Sequence, residues 1–159
     1  MQGQFVGPTD AVGAIDFSGP GMLGEALSWD LRRPVDPAAC DEGPGGDFPV
    51  TVTPGDNTID WGDAPALSLF VTDPQAVLPT GPGQPVTNGA TYWALQLETF
   101  PDGFLGPVTY GTVPPAAVDI TETSGGAADG AAMLTAGSCY KFSVITTEFK
   151  TGSVTLRWP

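Results

Sequence analysis

From Phe48 onward, apolar and polar side chains alternate in short runs broken by turn residues. Phe48, Val50 and Val52 alternate with Pro49 and Thr51, and Pro54-Gly55-Asp56-Asn57 makes a turn. Thr58–Trp61 reads as a short strand with Ile59 and Trp61 inward, and Leu67, Leu69 and Val71 form the next inward set. Trp93, Leu95 and Leu97 line one face of a further strand, with Gln96 and Glu98 outside and Tyr92 on the face opposite Trp93. Pro101-Asp102-Gly103 is a tight turn, Phe104 to Tyr110 resumes extended structure, and Val118 and Ile120 mark another strand beyond Pro114-Pro115. Tyr140, Phe142 and Val144 then alternate with Cys139, Lys141 and Ser143, and Val154, Leu156 and Trp158 close the series with Arg157 outside. A period of two means one buried face per strand. Many short strands at regular spacing, with turns between them, predict an antiparallel two-sheet sandwich.

Two stretches break this rhythm. Asp73–Gly89 is a Pro/Gly-rich connection of about 17 residues, long for a compact domain, and reads either as a functional loop or as a mobile one. Residues 1–47 form an N-terminal extension to a sandwich domain at 48–159. Gly13–Phe17 reads as a strand. Residues 22–33 fit either a short helix through Leu23, Ala26, Leu27 and Leu31 or a strand alternating at Leu27, Trp29 and Leu31, and the strand suits an otherwise all-β chain. The segment is too apolar to be a free tail, so it is expected to pack on the sandwich or on a neighbouring subunit.

Leu134-Thr135-Ala136-Gly137-Ser138-Cys139-Tyr140 resembles the approach to the late strand of a fibronectin type III or immunoglobulin-like sandwich, where a tyrosine ring packs inside and its hydroxyl bonds nearby backbone. Trp61 ahead of a Pro-containing turn, then Pro107-Val108-Thr109-Tyr110-Gly111-Thr112-Val113-Pro114, then this segment together resemble a domain of uncharacterised secreted proteins and lipoproteins of proteobacteria, over roughly residues 48–158. The resemblance implies a bacterial, extracellular β-sandwich with no catalytic set to carry over. Trp61, Trp93, Tyr140 and Phe142 are its expected structural core.

Composition narrows the function. The 22 glycines and 17 prolines approach the level of disordered chains, but the strand-like runs between them point to a loop-rich all-β fold. A net charge of −13 and only five basic residues exclude a phosphate-neutralising surface, so no nucleic-acid partner is expected. No apolar run reaches the ~20 residues of a membrane-spanning helix. With no secretory signal at the start, the chain is either cytoplasmic or a mature segment; Met1-Gln2-Gly3 reads as an added start, which favours the second, and the expected location is outside the cytoplasm: secreted, periplasmic or anchored at the cell surface.

Two cysteines and no histidine rule out the common zinc sites and any His-based nucleophilic triad. A Cys40–Cys139 disulfide is the favoured reading over two free thiols. It would hold the N-terminal segment to the outer side of the Tyr140 strand and contribute at most ~4–5 kcal/mol. Oxygen-only calcium ligation is the metal alternative, with Asp41, Glu42 and Asp47 in one Gly-rich loop as weak candidates and solvated loop acids as the plain reading. No other cofactor is expected. Carboxylate pairs such as Asp60 and Asp63, or Glu98 and Asp102, lack supporting context for catalysis.

The sequence therefore predicts a non-enzymatic surface or assembly module that acts through contacts with other proteins or with copies of itself. A carbohydrate- or calcium-binding sandwich is the alternative.

Overall fold

The computed structural model describes residues 2–5, 11–16 and 26–31 as strands and, beyond them, residues 40, 43–80 and 84–159. The chain falls into two compact units, Met1–Asp36 and Pro37–Pro159, so Cys40 and the glycines that follow go with the second unit.

In the first unit β1 (Gln2–Phe5), β2 (Ala11–Asp16) and β3 (Ala26–Leu31) form an antiparallel three-stranded sheet in sequence order. Residues 26–31 are thus a strand, paired with β2 from Ala11↔Leu31 to Asp16↔Ala26. The Trp29 side chain lies outside the described residues.

The second unit holds two antiparallel sheets and, among the described residues, no α-helix. The smaller sheet contains β5 (Thr51–Thr53), β6 (Thr58–Asp60) and β9 (Val108–Thr109). The larger contains β4 (Gly45–Gly46), β7 (Ala66–Thr72), β8 (Thr91–Leu97), β10 (Ala117–Asp119), β11 (Cys139–Thr146) and β12 (Thr151–Arg157). Its order is β10-β8-β7-β11-β12-β4, which puts β7 and β11 at the centre with both ladders filled. The stretch from Phe104 to Tyr110, expected to be extended throughout, forms a strand only at Val108–Thr109. Proline at 107 has no N–H to offer a ladder.

The sheets share one core. Val50, Ile59 and Trp61 from the small sheet and its flanks meet Leu69, Val71, Trp93, Leu95, Tyr140, Phe142 and Val144 from the large one. Trp61, Trp93, Tyr140 and Phe142 are all buried. Edge-to-face rings knit the core, with Trp61 on Phe104 at 5.9 Å and Tyr92 on Tyr140 at 4.8 Å. The Tyr140 hydroxyl accepts the Thr135 N–H at 2.8 Å, so the ring is inside and its polar tip is bonded to backbone five residues upstream.

Cys40 and Cys139 are bridged, with Cα atoms 5.4 Å apart and a sequence separation of 99. Cys40 is fully buried.

Two bulges change which side chains face the core. Between β7 and β8 the register passes from Val71↔Trp93 to Thr72↔Thr91, leaving Tyr92 as the extra residue. Tyr92 therefore packs against the same core as Trp93 rather than on the opposite face. Between β11 and β7 it passes from Ile145↔Ser68 to Thr146↔Ala66, leaving Leu67 extra. Ala66, not Leu67, fills the inward position, and Leu67 turns to the outer face.

Candidate functional site: a groove on the outer face of the large sheet

The outer face of a sandwich sheet is ordinarily polar, because water covers it. Here the outward positions of the central strands include Phe70, Ala94 and Ile145, and a second small core forms over them. The ladder places these side chains in rows. Gln96, Ser68 and Ile145 are direct cross-strand neighbours, as are Ala94, Phe70 and Ser143. Strand β7 is consequently buried on both faces.

The cover is the Asp73–Gly89 connection. Among its described residues Ala76 and Val86 are buried and Leu78 packs beside them on Phe70 and Ala94. Val77 and Thr87 exchange backbone hydrogen bonds at 2.8 and 3.1 Å, closing the loop on itself. Its base is held by one carboxylate: Asp73 accepts the Ala90 N–H at 2.8 Å and the Tyr92 hydroxyl at 2.8 Å, while its own N–H donates to the Ala90 carbonyl at 3.0 Å. Gly89 fits against this base because a Cβ there would come within 2.9 Å of both Asp73 and Ala76. Burial, the Asp73 hydrogen bond and the nearby negative charge all push the Tyr92 hydroxyl pKa well above its usual value.

A second wall comes from the turn after β10. Thr121 Oγ1 accepts the Ala94 N–H at 3.0 Å, extending the ladder where β10 ends. The Ser124 carbonyl accepts both the Thr91 hydroxyl at 2.8 Å and the Val86 N–H at 3.3 Å, tying turn, sheet and loop together.

Between these walls lies a groove of about 400 Å³. Its floor is Ser68, Phe70, Gln96 and Ile145. One wall presents Thr80 and Gln84, whose side chains hydrogen-bond at 3.2 Å, and the other presents Ile120 and Thr123. At the rim stands Phe149, 74% exposed, on the turn of the β11–β12 hairpin. That turn is closed by Thr146 N–H to the Lys150 carbonyl and Phe149 N–H to the Thr146 carbonyl, each 2.9 Å. Phe149 has φ of 60°, a left-handed conformation disfavoured for a large side chain. Among the described residues that line the groove, none is ionisable. It is a surface of apolar groups, amides and hydroxyls.

The residues singled out from sequence lie elsewhere. Asp41 and Glu42 fall outside the described residues. Asp47 is exposed, and its carboxylate accepts the Thr151 N–H at 2.9 Å, fastening the segment after β4 to β12. Asp60 accepts the Gly62 N–H at 2.9 Å and so serves its own turn. Among the described residues, no three Asp, Glu, Cys or His side chains converge in a metal-sized cluster, and no helix is long and apolar enough to cross a membrane.

Sequence reasoning flagged the long connection and missed the groove. The available signal was β7 itself, Ala-Leu-Ser-Leu-Phe-Val-Thr, whose apolar content on both faces needs a cover on each. No protein-family model, curated protein or solved structure matches the chain.

Proposed function

We propose that residues 37–159 form a fibronectin type III or immunoglobulin-like sandwich that works outside the cytoplasm as a non-catalytic surface or assembly module, meeting its partner protein, or another copy of the chain, at the groove. The strand order supports the fold reading. β5-β6-β9 sits on one side and β8-β7-β11-β12 on the other, with a bonded tyrosine on β11, the place such sandwiches keep their tyrosine corner. The disulfide supports an oxidising compartment. The observation that carries the binding role is the groove: a preformed concave surface with an aromatic ring displayed at its rim and a described lining of apolar and neutral polar groups. Such a wall can hold a ligand but offers no side chain for proton transfer near neutral pH.

A photo-reactive residue placed at position 149, in cells that make the protein, tests this, with one at the exposed Thr112 as control. A discrete adduct at the cell surface or in the secreted fraction from 149 alone is the expected result. Identical patterns from both positions, or Cys40 and Cys139 found as free thiols in the producing cell, would overturn it.

A further inference from the structure

We propose that the element recognised in this groove is a neutral oligosaccharide, displayed by the partner or forming part of a surface polysaccharide. The inference rests on the groove being the contact site and names what enters it.

Three features select this chemistry. The first is charge. The chain carries 18 acidic and 5 basic residues, yet none of the described residues lining the groove is ionisable, and the exposed Glu148 and Lys150 that flank Phe149 are paired with each other at 2.7 Å, so the groove presents no net counter-charge to an anionic or a cationic ligand. The second is the pairing of aromatic and amide groups. Phe149 is largely exposed to water, and an aromatic face carries partial negative charge that suits the polarised C–H groups of a pyranose. Gln96 offers an amide with donors and an acceptor and Gln84 its amide N–H groups, which match adjacent hydroxyls; Ser68 adds a hydroxyl, and Thr80 and Thr123, whose hydroxyls already donate to Gln84 and to the Ile120 carbonyl, add acceptor oxygens. A hydrocarbon ligand would desolvate these groups without returning a hydrogen bond. The third is the floor. β7 is paired on both sides, by β8 and β11, so its backbone has no free ladder for an added peptide strand. The floor offers side chains only. The groove's volume of about 400 Å³ lies in the range of small-molecule sites, ~300–1,000 Å³.

The backbone at Phe149 bears on the same point. A phenylalanine held at φ of 60° and exposed to solvent is disfavoured twice over, and a glycine or asparagine would make the same turn more easily. Its ring gains a purpose when a ligand covers it.

The test is titration calorimetry of the full 159-residue chain with cellopentaose, laminaripentaose and mannopentaose, with a galacturonate oligomer as the charged control. At least one neutral pentasaccharide should bind at millimolar concentration or below, and the galacturonate should not. Phe149→Ala and Gln96→Ala should each weaken binding about tenfold, the loss of one stacking or hydrogen-bond contact. Thermal melts of both variants establish that the fold is retained. No binding by any neutral pentasaccharide, equal binding of galacturonate, or variants that bind as tightly as the parent would overturn the inference. Should the sugars fail while the crosslink from position 149 to a partner protein persists, the carbohydrate inference falls and the module reading stands. Loss of both removes the module reading as well.

Discussion

On its inner face the large sheet carries Leu69, Val71, Trp93, Leu95, Phe142 and Val144, all pressed against the smaller sheet. On its outer face the same three strands carry Ser68, Phe70, Ala94, Gln96 and Ile145. The inner side chains are covered by another sheet in a shared core, the arrangement that generates most of a domain's stability. The outer ones are covered only in part, by a loop held at its base through one carboxylate and at its side through one carbonyl. Where the loop stops, apolar surface remains open as the groove. One sheet thus combines a face that specifies the fold with a face left incomplete, and the incomplete one is where a ligand can complete the burial.

Substitutions on each face should separate these roles. The largest effect is expected on the inner side. Tyr140→Ala removes a buried ring and the acceptor for Thr135, and should destabilise the protein by ~3–5 kcal/mol in chemical denaturation. Loss under 1 kcal/mol would mean that the inner face is not the stabilising one.

Asp73→Ala comes next. It strips the Ala90 N–H and Tyr92 hydroxyl of their acceptor and should cost about 1–3 kcal/mol. The loss should appear as faster hydrogen exchange at Val77 and Thr87, while the β7 and β11 ladder stays protected. Uniform loss of protection would show that loop and sheet open together and would blur the distinction between the faces.

Phe149→Gly should act in the opposite direction. Relieving the left-handed phenylalanine should stabilise the fold by about 1 kcal/mol while abolishing the proposed stacking. Denaturation midpoints and sugar affinity measured on the same variant would show stability and binding moving apart.

The smallest effect is expected from pH. The Tyr92 and Tyr110 pKa values lie above the ordinary 10, each mainly through burial. The unfolded chain therefore loses these protons first. Their contribution to stability should be constant below pH 10 and should be lost as pH rises beyond it. Melting temperatures with absorbance near 295 nm would follow this, and Tyr92→Phe should flatten the decline.

The inner face was legible in the sequence because strand periodicity reports burial directly. Trp93 and Leu95, or Tyr140, Phe142 and Val144, fall two residues apart and lie on the same side. Tyr92 and Leu67 were misplaced because a bulge adds one residue to a strand and shifts the phase, and no residue type marks either bulge. The groove was hidden for a different reason. Its walls are 36 or more residues apart in sequence, and Phe149 sits in a Thr-Glu-Phe-Lys turn with none of the Gly, Asn or Pro residues that announce a turn. Ser124 looked like filler in a small-residue loop, yet its carbonyl joins three elements.

The Cys40–Cys139 bridge also determines how the molecule would transmit tension. A pull on the backbone between a point before Cys40 and Pro159 crosses the sulfur–sulfur bond and meets the open end of the β11–β12 hairpin, where Cys139 pairs with Arg157. The 99-residue separation, on the order of 330 Å of extended chain, is bypassed and cannot be drawn out while the bond is intact. β7, β8 and the Asp73 loop lie in the bypassed part, whereas Ile145 and Phe149 lie on the loaded hairpin. Mechanical load on this chain would therefore fall first on the Cys139↔Arg157 end of the hairpin and would reach Phe149 only after the β11–β12 ladder had opened pair by pair, leaving the groove shielded until then.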